Sequence, residues 1–177
     1  LIYENWTVGV PNTDSDEWEA FFGLDYGYTT DPTAFIAIKV NKQNKLIYIF
    51  DEIYARKMLN CDIAAAITAK GYAKERIRAD SAEPKSNDDL KRLGLRRVLP
   101  SVKGKDSVIN GIMNINEYKI FVNPSCKNTI SELYSYCWQK GEKNVPEDKN
   151  NHLMDALRYA FYDVNKAGKS AEIKSYL

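Results

Sequence analysis

A chain of 177 residues with 44% hydrophobic content suits one domain with a sizeable core. Its 25 Lys and Arg against 24 Asp and Glu give no overall charge that would draw it to nucleic acid, so any such surface must be local. Cys61, Cys126 and Cys137 are odd in number and form no CxxC pair, which argues against a disulfide framework or zinc ribbon and fits a reducing compartment. No apolar run approaches the roughly 20 residues of a membrane span, and the start has no signal-peptide layout. The first residue is Leu1 rather than Met, which suggests a piece of a longer protein.

Residues 1–18 read as an irregular lead-in, turning at Pro11, Asn12, Thr13 and Asp14. The domain is expected over 19–166. AFFGLDYG, TAFIAIKVN and KLIYIFDEIY are strand-like and closely spaced, which predicts an antiparallel meander. NCDIAAAITAKGY predicts a helix ending near Gly71, followed by a short strand IRAD at 77–80. PKSNDDLKRLG opens with Pro84 and closes at Gly94, a helix pattern. RRVLP predicts a strand, DSVINGIMNINEY a helix capped by Asp106, and KIFV another strand. Helices around NTISELYSYCW and from His152 to about Asn165 close the domain, with 167–177 as a frayed tail. The expected fold is therefore α/β: a mixed sheet, three antiparallel strands then alternating helices and strands, flanked by helices.

Within this order three aspartates stand at element ends. Asp25 closes the first long strand, Asp80 closes IRAD, and Asp155 lies in the first turn of the last helix. A carboxylate at the end of an apolar strand is costly to bury without a cation or donors. If the two strands are neighbours, the aspartates sit side by side, an arrangement a divalent cation would relieve. Hard oxygen ligands suit Mg²⁺ or Mn²⁺. In the last helix Leu153, Ala156, Leu157, Ala160, Phe161 and Val164 form an apolar stripe, leaving His152, Asp155 and Tyr159 on an adjoining strip. Taken singly, each Asp is more often a turn or cap residue, and His152 a helix-start or packing residue.

GLDYG, RADSAEPKS, PSVKGKDSVINGI and NNHLMDALRYA, in this order, resemble the C-terminal nuclease domain of the large terminase subunit of tailed bacteriophages, over about residues 20–165. The resemblance implies an RNase H-like fold and an endonuclease that cuts double-stranded concatemeric DNA during genome packaging in the bacterial host cytoplasm. It implies two Mg²⁺ or Mn²⁺ ions about 4 Å apart, held by Asp25, Asp80 and Asp155. His152 would transfer a proton, contact the phosphate or support Asp155, and Glu83 and Asp148 would stand in supporting positions. Implied partners are the packaging ATPase of the same full-length chain, the small terminase subunit and the portal. No GxxxxGK[ST] motif occurs here, so this chain would be the cutting part alone.

For DNA, the basic stretch offers Arg96, Arg97, Lys103 and Lys105; Lys91 and Arg92 read as an ordinary solvated face. Lys103 and Lys105 flank Gly104 just before a helix start, a place suited to phosphate. Tyr26 and Tyr28 read more readily as core than as stacking platforms. Three other readings stand beside this one. A Holliday-junction resolvase would share the fold. An actin- or sugar-kinase-like ATP-binding domain would share the DYGYTT loop, although the chain has only 9 glycines and no Gly pair. A binding module would hold a structural cation.

Overall fold

The computed structural model describes residues 1–166, so the tail expected from 167 lies outside the described residues. In chain order the elements are β1 (Trp6–Val8), β2 (Trp18–Asp25), β3 (Thr33–Asn41), β4 (Leu46–Ala55), α1 (Asn60–Ala69), β5 (Ile77–Ala79), α2 (Pro84–Arg92), β6 (Val98–Pro100), α3 (Ser107–Asn116), β7 (Lys119–Val122), α4 (Lys127–Ser135) and α5 (His152–Tyr162). The seven strands form one sheet in the order β1-β7-β4-β3-β2-β5-β6. β2, β3 and β4 are antiparallel, as their short connections require, and β5 and β6 continue the sheet parallel to β2. β7 adds parallel to β4 on the other side. This is the mixed sheet the sequence pattern predicts.

Two cores sandwich the sheet. α3, α4 and α5 cover one face, packing Ile112, Ile115, Leu133, Leu153, Leu157 and Phe161 on Ile36, Ile38 and Ile47. α1 and α2 cover the other, where Ile63, Ile67 and Leu90 meet Phe22, Leu24 and Phe35. β3 is therefore buried on both sides, which is why TAFIAIKVN reads as a nearly unbroken apolar run.

Three expectations need correction. The lead-in is not wholly irregular: β1 pairs with β7, Trp6 opposite Ile120, and Ile2 and Tyr3 are buried in the α5-side core. A three-residue strand has too few positions to show a period, and its burial comes from residues more than a hundred positions away. Asp106 stands at the start of α3 but has a left-handed backbone (φ 63°) and makes no side-chain cap bond. The extended backbone that aims a cap side chain at the first turn is absent. α4 stops at Ser135, because Tyr136 turns extended and Trp138 bridges to Pro146 instead.

Candidate active site

β2 and β5 run parallel with Leu24 opposite Ala79, so Asp25 and Asp80 emerge from adjacent strands at the same end of the sheet. The Asp80 N–H donates to the Leu24 carbonyl at 3.1 Å, carrying the pairing one step beyond β5. α5 crosses β2 directly over Gly23, where a Cβ would run into the Ala156 carbonyl and lie 2.9 Å from the Ala160 nitrogen. Glycine at this position lets helix and strand backbones touch. That contact brings the start of α5, with His152 and Asp155, over the two strand ends. The sequence FFGLD is thus explained: a glycine for the helix to rest on, then a carboxylate beneath its first turn.

Each carboxylate has a basic partner within the protein. Asp25 Oδ2 lies 3.1 Å from His152 Nδ1, and His152 Nε2 lies 3.4 Å from Asp31 Oδ1. Asp80 Oδ1 is 2.7 Å from Lys103 Nζ and also accepts from the Ala82 N–H at 3.0 Å. Asp155 pairs with Arg158, one helical turn on. Burial pushes Asp25 up to about 6; the charges of Asp155 and Asp80 push the same way, against the His152 hydrogen bond. Burial also raises Asp155, opposed by Arg158. His152 is raised, chiefly by its hydrogen bond to Asp25.

Among the described residues no three His, Cys, Asp or Glu side chains yet close around a common point. In this arrangement each carboxylate lies against its own basic partner, His152, Lys103 or Arg158. The donor set still fits a hard divalent cation: the charges of Asp155 and Asp80 raise the proton affinity of Asp25, and the three side chains present oxygen alone. A cation held by Asp25, Asp80 and Asp155 would compete with these internal partners for the carboxylates.

Comparison with known proteins gives the site its context. Residues 25–163 match the model of the terminase RNase H-like domain. The large terminase subunit of Bacillus phage SPP1 is 37% identical over 156 residues, covering 84% of this chain and 37% of that protein. The large terminase subunit of Escherichia phage T5 is 31% identical over 166 residues, 86% of this chain and again 37% of that protein. The chain belongs to the terminase RNase H-like domain family. It therefore spans 37% of the length of either relative. The SPP1 g2p nuclease domain, solved with bound Mn, superposes with a TM-score of 0.81 at 32% identity, over 90% of this chain and 97% of that one.

In this terminase domain the remaining expected residues divide into two groups. Lys103 reaches Asp80, and Lys105 lines a cleft of about 710 Å³ between the 101–111 segment and α5, with Asp155 and Arg158 in its wall. Asp148 lies close enough to raise Asp155, and it accepts from Asn151 Nδ2 at 3.4 Å. Glu83 precedes α2 and borders a second cleft with Tyr26 and Tyr28. Arg96 and Arg97, by contrast, precede β6, which runs parallel to β5; they stand at the opposite end of the sheet from Asp80. Arg97 donates to the Lys74 carbonyl there. Adjacency in sequence to Lys103 misplaces them, because the whole of β6 lies between. Tyr26 packs on the α1-side core and donates to Asn87 Oδ1 at 2.7 Å, while Asn87 donates to the Asp80 carbonyl at 3.1 Å. It is a brace for the Asp80 turn. In the DYGYTT loop only Gly27 is closely packed, since a Cβ there would strike the Pro32 carbonyl; Tyr28, read from sequence as core, is exposed together with Thr29 and Thr30.

Three site residues escape sequence reading. Arg158 is legible afterwards as the i+3 neighbour of Asp155. Asp31 sits in a turn with nothing to mark it. Glu132, on α4, accepts from the Leu153 and Met154 N–H groups at 2.8 and 3.1 Å. It caps α5 from another helix, which no local pattern reveals.

Proposed function

We propose that this domain is a divalent-metal-dependent endonuclease that cuts double-stranded DNA during viral genome packaging, acting within a longer large terminase chain. The observation that carries this reading is the convergence of Asp25, Asp80 and Asp155 from β2, β5 and α5 at one end of the sheet. In this reading they hold two Mg²⁺ or Mn²⁺ ions. Bound there, the ions supply Lewis acidity that activates water and stabilises the departing oxygen of a phosphodiester.

The chain's own residues do the rest. Both ring nitrogens of His152 face carboxylates, Asp25 and Asp31, so the imidazole serves best as a protonated donor to each. That makes it a positioning residue that fixes Asp25 rather than a free general base. Lys103 and Lys105 contact phosphates without reading bases. The proposed partners are DNA, the packaging ATPase part of the same chain, the small terminase subunit and the portal, in the bacterial cytoplasm. No helix among the described residues is long and apolar enough to cross a membrane.

Incubating supercoiled plasmid with the protein and Mn²⁺ should yield nicked and linear forms, and EDTA should abolish them. Asp25→Ala and Asp80→Ala should each lose cutting while melting, without metal, at the parent temperature or above it. Removing one of several crowded carboxylates relieves repulsion in the metal-free state. An Asp25→Ala protein that cuts at the parent rate would sink the assignment.

A further inference from the structure

The three ion pairs of the site differ in how firmly the cation is held. The Arg158 side chain is 11% exposed and the His152 side chain 17%, and both project from the packed helix α5. The Lys103 side chain is 54% exposed and belongs to the segment 101–106, which is neither helix nor strand. That segment is tied down at Ser101, whose N–H donates to the Ala79 carbonyl at 2.6 Å and whose hydroxyl accepts from the Ser81 N–H at 3.1 Å. It is tied again where the Ser107 N–H donates to the Gly104 carbonyl at 3.1 Å. Between these anchors Lys103 itself lines, with Lys105, the cleft beside α5.

We infer that Lys103 is a stand-in cation: it neutralises Asp80 while metal is absent, is displaced when a divalent ion takes the Asp80 carboxylate, and then becomes a phosphate ligand for DNA. The inference rests on the metal-nuclease reading above. Its physical basis is competition for one carboxylate oxygen. The ammonium 2.7 Å from Asp80 Oδ1 repels an incoming cation and offsets the charge that would hold it, and a divalent ion, with two charges and the further carboxylates Asp25 and Asp155 to draw on, has the stronger claim. Once displaced, the ammonium has lost its counter-ion beside a cleft open to a polyanion. Metal and DNA then favour each other through a single side chain, and linkage makes the effect reciprocal.

The experiment compares the parent chain with Lys103→Met, which keeps the aliphatic stem, and with Lys105→Met, which removes a nearby charge that does not touch Asp80. Calorimetry with Mn²⁺ should show Lys103→Met binding about threefold to fivefold more tightly than the parent, the scale of a half-exposed ion pair removed as competitor. Lys105→Met should stay within about twofold. Fluorescence anisotropy of a labelled duplex, with and without Ca²⁺ and with gels confirming that the DNA stays whole, should show Ca²⁺ strengthening DNA binding in the parent and in Lys105→Met. In Lys103→Met that strengthening should shrink by the factor seen in calorimetry. Equal Mn²⁺ affinity in the two variants, or an undiminished Ca²⁺ effect in Lys103→Met, overturns this inference alone. A parent chain that binds neither ion overturns the nuclease reading with it.

Discussion

Glu132 is 3% exposed where α4 meets the start of α5, with Oε2 accepting two backbone N–H groups and Oε1 buried without a partner. Burial pushes its carboxyl up to about 8, against the lowering effect of those two bonds. The folded protein thus keeps a proton that the unfolded chain releases above about 4.5, so stability contributed by this group falls as pH rises from there to about 8. His152, also raised, loses stability in the same direction above its ordinary 6.5, so the parent curve alone cannot separate the two. A Gln at position 132 keeps the acceptor oxygen and never ionises. Glu132→Gln should therefore flatten the decline between pH 6 and 8, and at pH 8.5 it should be about 1–2 kcal/mol more stable than the parent by urea unfolding. Glu132→Ala, which leaves the α5 donors unpaired, should be less stable than the parent by about 1–3 kcal/mol. A Gln variant with an unchanged pH profile would remove the buried charge from the account. At this scale the sequence showed those carboxylates that end strands, because a charge after an apolar run breaks a visible pattern. It could not show Glu132 or Asp31, whose roles depend on elements far away along the chain.

The element that decides the site is α5, and its seating on β2 depends on Gly23. A side chain there meets backbone, the Ala156 carbonyl and the Ala160 nitrogen, which cannot swing aside as a flexible side chain would. Gly23→Ala should lift the helix, costing about 3 kcal/mol or more at the upper end of overpacking effects. Cutting should fall with it, since His152 and Asp155 move together. Gly111 is the matched control: it lies inside α3, and its added Cβ would sit 3.4 Å from Arg158 Cδ, an ordinary contact. Gly111→Ala should be neutral or stabilising by up to about 1 kcal/mol through helix propensity. Thermal melts of the two variants decide the matter, and a Gly23→Ala protein as stable as the parent would show that α5 does not bear on the strand. The stripe of α5 was legible because eleven residues repeat a helical period. β1 was not, and neither was the exact end of α4, since both are set by what the chain meets across the fold.

Over the whole molecule the charge nearly cancels, at a formal +1, so the proposed attraction to DNA has to come from its distribution and not from its sum. The carboxylate end of the sheet carries Asp25, Asp80 and Asp155, which repel phosphate until cations neutralise them, with Lys103 and Lys105 beside them. The opposite end carries Arg96 and Arg97. Both pairs lie within ten residues of chain, and adjacency in sequence makes them one basic stretch. Their placement does not, because a strand of the sheet separates them. Each lysine that grips a phosphate should contribute about 0.9 to the slope of log binding constant against log salt. With Ca²⁺ filling the carboxylates and the DNA confirmed intact, replacing Lys103 and Lys105 together by Met should reduce that slope by about 2 for every duplex tried, whatever its sequence. Arg96→Ala with Arg97→Ala removes the same charge at the far end and should leave the slope where it was. If the arginine pair lowers the slope and the lysine pair does not, DNA approaches the other end of the sheet, and the carboxylates there would no longer face a phosphodiester bond.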